Sequence, residues 1–356
     1  MALNTKGLKK KRVRVITRRQ FSWHMGILVS ATTRLVLALV LLAWISDPSS
    51  ALQLSPDEST AEEQAQESRW HAQQIEFGGH SRTYVAYAPA SYDGQKPVPL
   101  VLVLHGTASK PREDLVRSCK GIVRFTKWEQ KAEAEGFIAV APVALGRSLN
   151  EGSGRGGSGF EDVDDVGFIE AVLDDVSGRF AIDQDRIYVT GFSSGASMAQ
   201  RLAVEMSHRI AAIGAVGGHL WSEDRAPAAA RPVLLLFGTE DPLNPIDGGK
   251  VRYGFAGLDL VLDKPAPVTT AKMWARRLEC SSGPTELSDK DGVRAVAWRP
   301  CANGAEVLFY TVAGLGHQWP GGMPLPKKWA EIVGKYTDVI NATDLIWDFF
   351  SRHRRR

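Results

Sequence analysis

The stretch Arg186-Ile187-Tyr188-Val189-Thr190-Gly191-Phe192-Ser193-Ser194-Gly195-Ala196 decides how this chain is read. Residues 186–190 form the apolar, β-branched run of a buried strand, and Ala196 to Met206 reads as a helix. Between them, Gly191-Phe192-Ser193-Ser194-Gly195 matches G-x-S-x-G, the nucleophile elbow, in the strand–turn–helix setting that the motif needs. Such a turn pushes its central serine into a strained, exposed position, and its glycines let the two backbones pass closely. It also aims the next backbone N–H, that of Ser194, at a developing oxyanion. Ser193 is the candidate nucleophile.

A serine hydroxyl attacks only when a base takes its proton, and the base needs an acid to orient it. The sequence offers both downstream. Val233-Leu234-Leu235-Leu236-Phe237 is a continuous apolar strand pattern ended by Gly238, and Thr239-Glu240-Asp241-Pro242 follows. A carboxylate just past the C-terminal end of a parallel strand lies on the rim where such sheets carry their sites. Asp241 is the candidate acid, with Glu240 and Asp247 as neighbouring alternatives. A later strand, 306–312, runs into Ala313-Gly314-Leu315-Gly316-His317-Gln318-Trp319-Pro320-Gly321-Gly322. A histidine between glycines reaches into a cleft with little hindrance, so His317 is the candidate base.

The chain has eight histidines, and the other seven compete less well. His24 lies in an N-terminal targeting segment, His353 in the terminal tail, and His71, His80 and His208 in surface-like settings. His105 is expected to support its loop. His219, after Gly217-Gly218, is a candidate for lining the substrate cleft, as are Trp221 and Trp319. The apolar run 99–104 followed by His105-Gly106-Thr107 supplies a second oxyanion donor, the backbone N–H of Thr107.

Five stretches together resemble the bacterial polyhydroxybutyrate depolymerase-like esterases, a group related to feruloyl and acetylxylan esterases. They are LVLVLHG at 100–106, DVGFIEAVLDDV at 165–176, RIYVTGFSSGASMAQRLA at 186–203, FGTEDPLNPIDGG at 237–249 and GLGHQWPGG at 314–322. The resemblance spans roughly residues 75–350 and implies an α/β-hydrolase fold, with a triad on Ser193, Asp241 and His317. Two departures stand out. Ser194-Gly195-Ala196 replaces the frequent Asn-Gly-Gly without removing a backbone donor. Leu149 stands where the family often has a tryptophan, which bears on substrate preference.

Strand patterns near 82–88, 99–104, 137–141, 186–190, 211–216, 233–237 and 306–312 alternate with helical patterns near 123–135, 166–180, 195–206, 267–278 and 342–352. That alternation predicts an α/β fold, a mostly parallel sheet covered by helices on both faces. Pro267 suits the first turn of its helix, and Asn341 can cap the last one. Gly152 to Gly159 is glycine-rich but lacks the G-K-[ST] ending of a phosphate loop, so it reads as a loop beside the cleft.

The net charge of +3 over 356 residues is misleading, because residues 1–51 hold nine Lys/Arg and one acid. The rest has 34 basic and 39 acidic residues, a net of −5, with no basic footprint for nucleic acid. Residues 1–51 read as an export signal. Lys9-Lys10-Lys11-Arg12 opens it, Thr17-Arg18-Arg19-Gln20-Phe21 resembles a twin-arginine motif, Leu35 to Ile45 has the length of an h-region, and Ser49-Ser50-Ala51 offers small residues for cleavage. A general secretory signal starting at Met25 is the rival, since Arg34 interrupts the apolar stretch. An uncleaved anchor over Gly26 to Ile45 is a third reading, and the only one that involves a membrane. All three place the catalytic domain in the periplasm or outside the cell. Residues 52–69 read as a flexible polar spacer, 70–352 as the catalytic domain and 353–356 as a solvated basic tail.

Of the three cysteines, Cys280 and Cys301 flank a loop and a strand at Val293 to Trp298. An oxidising compartment allows them to pair, and the resemblance points the same way; Cys119 is left over as a thiol. No spacing matches a metal site, and no cofactor is expected. The sequence therefore predicts an exported serine esterase working through an acyl-enzyme on hydroxyalkanoate oligomers or short esters. Alternatives are a feruloyl/acetylxylan-type esterase on plant polysaccharide and an acyltransferase on the same fold.

Overall fold

The computed structural model describes residues 64–108, 114–153, 163–221, 225–253 and 260–355. In chain order come β1 (Trp70–Phe77), β2 (His80–Tyr87), β3 (Val98–Leu104), α1 (Leu115–Phe125), α2 (Trp128–Glu135), β4 (Ile138–Pro142), α3 (Asp165–Arg179), β5 (Ile182–Phe192), α4 (Ser194–Glu205), β6 (Ala212–Val216) and β7 (Val233–Gly238). A hairpin of β8 (Gly249–Tyr253) and β9 (Leu260–Lys264) follows. Then come α5 (Pro267–Arg277), β10 (Thr285–Lys290), β11 (Val293–Trp298), β12 (Val307–Val312), α6 (Lys327–Val333) and α7 (Ala342–Ser351).

Among the described residues, ten strands form one sheet in the order β1-β2-β4-β3-β5-β6-β7-β12-β11-β10. The middle of this sheet, from β4 through β3, β5, β6 and β7 to β12, is parallel. Antiparallel hairpins finish both edges. Where the central strands cross the middle of the sheet, as at Leu100–Leu104, Ile187–Val189 and Val233–Phe237, they are buried and almost wholly apolar because both of their faces are covered. Alternate residues divide between two cores. Leu100, Leu102, Ile187 and Val189 pack with α3, α4 and α5, while Val101, Val103 and Tyr188 pack with α1, α2 and α7. This is the mostly parallel sheet with helices on both faces that the sequence predicts. Among the described residues no helix is long and apolar enough to cross a membrane.

Several boundaries differ from expectation. The single helix expected over 123–135 is two. The Thr126 hydroxyl bonds back to the Ile122 carbonyl at 2.6 Å, and Lys127 turns left-handed at φ 60°, which redirects the chain before α2. The spacer expected over 52–69 ends earlier, since residues 64–67 are helical. There Glu67 pairs with Lys120 at 2.5 Å and also with Arg124, and Arg69 pairs with Glu133 at 2.7 Å. The basic tail expected to be solvated from residue 353 is docked instead. His353 meets Glu306 at 3.3 Å, Arg354 meets Asp183 at 3.0 Å and Arg355 meets Asp185 at 3.3 Å. Acidic groups on the body of the domain hold each of these residues. The export signal expected over residues 1–51 and most of the glycine-rich segment 152–159 lie outside the described residues.

Cys280 and Cys301 form a disulfide across a separation of 21 residues. It closes the excursion through β10 and β11, the outermost strands of that edge. Cys119 is buried in α1 and takes no part in it. Asn341 caps α7 through Thr343 N–H and Asp344 N–H, and Pro267 opens α5.

Candidate active site

The parallel strands deliver Ser193, Asp241, His317 and Thr107 to the same edge, because each lies just past a strand C-terminus: β5, β7, β12 and β3 respectively. Ser193 has φ 58° and ψ −122°, a region that a side chain other than glycine's enters only under constraint. The constraint is the tight crossing of β5 and α4. A Cβ on Gly191 would stand 2.2 Å from the Gly195 carbonyl oxygen, and one on Gly195 would stand 2.3 Å from that of Leu104. Only hydrogen atoms fit at either place. Ser193 N–H continues the β6 ladder to the Val216 carbonyl at 2.9 Å, so the turn is fixed on both sides.

Asp241 and His317 are both buried, at 3% and 5% exposure. Asp241 Oδ1 accepts the backbone N–H groups of Leu243 at 2.7 Å and Asn244 at 2.9 Å, an Asx-turn that fixes the carboxylate plane. Its Oδ2 stands 2.7 Å from His317 Nδ1. Burial works against ionisation of Asp241, but the charge and hydrogen bond of His317 and the two backbone N–H groups outweigh it. The carboxyl is held below the usual carboxylate range. The acceptor at Nδ1 fixes the imidazole with its proton on that nitrogen. Nε2 is left as the basic atom, and it has no hydrogen-bond partner among the described residues.

The loop carrying His317 is fastened at nearly every residue. Gly316 N–H donates to Lys335 O at 2.8 Å, His317 N–H donates to Val333 O, and Gln318 Nε2 donates to Gly334 O at 2.7 Å. Trp319 Nε1 donates to Thr343 Oγ1 at 3.0 Å. The expectation that Trp319 walls the cleft is therefore corrected: the ring is fully buried behind Phe192 and anchors the loop to α7. His219 is corrected in the same way. It is fully buried, with Nδ1 3.1 Å from Thr270 Oγ1 of α5 and its backbone N–H donating to Ser197 Oγ at 3.1 Å, so it supports the floor instead of lining it. Apolar packing around both side chains, invisible in a local reading, took them inward. Trp221 does line the cavity. His105 supports its loop, with Nε2 accepting Ala144 N–H at 3.1 Å and Nδ1 2.9 Å from Gly106 O.

Ser193, Ser194, Thr107 and His317 open onto one cavity of 530 Å³. Ile122 and Phe125 of α1 line it. Trp221, Leu243, Tyr253, Leu262 and Lys264 line it as well, together with Leu325, Trp329 and Val333. The hairpin β8–β9 and α6 thus form a wall that sequence reasoning missed, and so is Asn244, buried beside Asp241. The Thr107 hydroxyl donates to Ser194 Oγ at 3.1 Å, tying the β3 loop to the start of α4. The N–H of Thr107 has no backbone acceptor among the described residues, and that of Ser194 heads a helix, where amides lack intrahelical partners. Leu149 is buried near this edge. Among the described residues, no three His, Cys, Asp or Glu side chains cluster as metal ligands would.

A family model for phospholipases and carboxylesterases matches residues 166–256, the span from α3 through the elbow to the hairpin. The chain is 30% identical over 303 residues to the putative esterase NocK of Nocardia uniformis, covering 78% of this chain and 81% of that protein. It is 29% identical over 170 residues to a probable feruloyl esterase C of Aspergillus terreus, covering 48% of this chain and 58% of that one, so it spans little more than half of that relative. The solved acetyl xylan esterase from Aspergillus awamori superposes with a TM-score of 0.50 at 15% identity, over 73% of this chain and 98% of that one, a likeness of fold.

Proposed function

Because the chain belongs to the esterases of the α/β-hydrolase fold, we propose that it is an exported serine esterase acting through Ser193, His317 and Asp241. The observation that carries this reading is the buried Asp241–His317 pair, which presents an unpartnered Nε2 to the cavity that Ser193 lines. Ser193 Oγ attacks the ester carbonyl carbon while His317 Nε2 takes its proton. The charge that develops on the carbonyl oxygen is met by the N–H groups of Ser194 and Thr107. As the tetrahedral intermediate collapses, the carbon–oxygen bond to the alcohol breaks and Nε2 returns the proton to the leaving oxygen. Water then repeats the sequence on the acyl-enzyme and releases the acid. Asp241 orients the ring and stabilises its cationic form.

The proposed substrates are short esters and hydroxyalkanoate oligomers, which suit a 530 Å³ cavity with largely apolar walls. A second reading, an aromatic acyl ester such as a feruloyl ester, is favoured by the rings of Trp221, Tyr253 and Trp329 in one wall. The disulfide and the basic-then-apolar N-terminus support export. The test is hydrolysis of p-nitrophenyl acetate and butyrate by native protein and by Ser193→Ala. Loss of kcat by about 10⁶-fold is expected, and equal rates refute the assignment. Relative kcat/KM on hydroxybutyrate oligomers and methyl ferulate decides between the substrates.

A further inference from the structure

Asn244 sits at a junction that the mechanism above does not use. Its side chain is buried at 2% exposure. Nδ2 donates to Gly217 O at 2.9 Å and to Asp241 Oδ2 at 3.3 Å, and lies 3.2 Å from His317 Nδ1. Oδ1 accepts from Lys264 Nζ at 3.2 Å. The neighbours dictate which way the amide points: reversed, it would set its oxygen against a carboxylate and a carbonyl, and its N–H groups against an ammonium. Lys264 belongs to the hairpin wall, with Nζ 5.1 Å from the Trp221 ring centre and 5.7 Å from that of Tyr253. Tyr253 in turn donates to Leu243 O at 3.3 Å, in the same turn as Asp241 and Asn244.

We propose that Asn244 is a positioning residue for the Asp241–His317 pair, and that Lys264 sets its amide, so that the hairpin wall of the substrate cavity is coupled to the acid–base machinery. This rests on the serine-esterase reading above. The coupling runs through a dipole. The ammonium holds the negative end of the amide, and the positive end faces the carboxylate and the imidazole. It fixes Asp241 Oδ2 in the line of Nδ1. Among the described residues, the other titratable groups at the cavity are His105 from the β3 loop and Glu151 from the loop after β4, and the variants leave both unchanged.

The experiment is a double-mutant cycle on the full chain with p-nitrophenyl acetate: Asn244→Leu, Lys264→Met, both together, and Lys264→Arg. Asn244→Leu is expected to lower kcat by about 10- to 100-fold, as sub-ångström misplacement of catalytic groups does, with KM within about threefold. Lys264→Met is expected to lower kcat by a smaller factor and to move the acidic limb of kcat/KM to higher pH, because a cation that opposed imidazolium is gone. Lys264→Arg keeps the charge and the donor and is expected to restore both. The double variant is expected to be no worse than Asn244→Leu alone. A merely structural residue would lower melting temperature without moving the limb. The proposal is overturned by an Asn244→Leu enzyme with kcat within twofold of native, or by losses that multiply in the double variant. If Asn244→Leu does not fold, the Lys264 pair decides: equal rates and equal limbs for Met and Arg overturn it. Activity surviving in Ser193→Ala removes the esterase reading itself, whereas loss there with native behaviour of these variants removes only the positioning role.

Discussion

Gly195→Ala adds one methyl group at the tightest crossing in the site, and its consequence can be worked from the backbone. The new Cβ would stand 2.3 Å from the Leu104 carbonyl oxygen and 2.6 Å from that of His105, where about 3.0 Å is the limit of real contacts. Neither neighbour is a side chain that can swing aside. Helix α4 and the end of β3 must therefore part by roughly 0.7 Å. Ser193 and Ser194 ride on α4, and Thr107 is three residues beyond Leu104, so the separation opens between the two proposed oxyanion donors. Misplacement on the order of 1 Å costs up to about 100-fold in rate, and overpacking of this kind costs about 1–3 kcal/mol in stability. The expectation is a kcat on p-nitrophenyl butyrate lowered by about 10- to 100-fold, with KM changed less than about threefold and a lower melting temperature. Gly178→Ala is the matched control. It lies in α3 with nothing within 4 Å of a new Cβ, so the same methyl is expected to stabilise the protein by about 0.5–1 kcal/mol and leave kcat alone. A Gly195→Ala enzyme with native kcat and native melting temperature would refute the argument that this crossing sets the donor geometry.

Three other outcomes follow from the structure. Cys280→Ser, or reduction, releases a loop of 21 residues and is expected to cost about 3 kcal/mol in chain entropy; denaturant unfolding with and without reductant measures it, and kcat should change little because neither cysteine lines the cavity. Asp241→Asn is expected to lower kcat by about 10⁴-fold. Because the Asp241 carboxyl titrates below its ordinary range, the stability that ionisation contributes is complete above the unfolded value near 3.9 and is lost as pH falls through the folded one. The stability gap between native protein and Asp241→Asn should therefore narrow on acidification below about pH 4, in unfolding curves taken from pH 6 downward. A chain ending at Arg352 loses the His353–Glu306 contact, the two arginine pairs and the Tyr188 hydroxyl bond to His353 O at 2.7 Å. Mostly exposed pairs contribute little, so a loss of about 1–3 kcal/mol is expected in thermal melts, with esterase activity retained.

Much of this architecture was legible because it depends on short-range signals. The parallel strands read as unbroken apolar runs, since both faces are covered, and G-x-S-x-G marks the one place where a strand must reverse into a helix. Asp241 and His317 stood out because each follows such a run directly. The residues that misled are those whose fate depends on distant packing. Trp319 and His219 have glycine-rich neighbours that suggest open loops, yet Thr343 and Thr270, which take their polar atoms, lie 24 and 51 residues away. The tail looked solvated because its arginines are consecutive, but Asp183 and Asp185, about 170 residues distant, hold them. The hairpin β8–β9 is short and half exposed, and α6 has only seven residues, so the i, i+3, i+4 spacing of Trp329, Ile332 and Val333 covers too short a window to stand out. Asn244 did carry a local signal. What was readable there is the Asp-Pro turn: the Asp241 carboxylate takes the N–H groups of Leu243 and Asn244, which places residue 244 beside the acid whatever its side chain.

The two halves of the site are held by different amounts of core, and this separates what each can tolerate. Ser193, Asp241 and His317 follow strand ends whose side chains are almost wholly buried, and a Cβ on Gly191, Gly195, Gly238 or Gly316 beside them would meet backbone atoms. A substitution there bears the cost of close packing, typically 2–5 kcal/mol for a large core side chain cut to alanine. Among the described residues, the wall formed by the hairpin and α6 has only Leu243, Val251 and Val333 as a buried cluster, with Tyr253, Leu325, Trp329 and Ile332 packed around it partly exposed. Changes at those partly exposed positions remove less buried area and cost correspondingly less. The wall can therefore vary in shape, and with it the choice of ester, while the elbow and the acid–base pair stay fixed. The Lys264–Asn244 contact is where that variation reaches the chemistry. A substitution in the hairpin that displaces Lys264 would alter the imidazole's support as well as the pocket, so its effect on kcat should be shared by every substrate, whereas a change at Leu262 or Trp329 should act on some substrates and spare others.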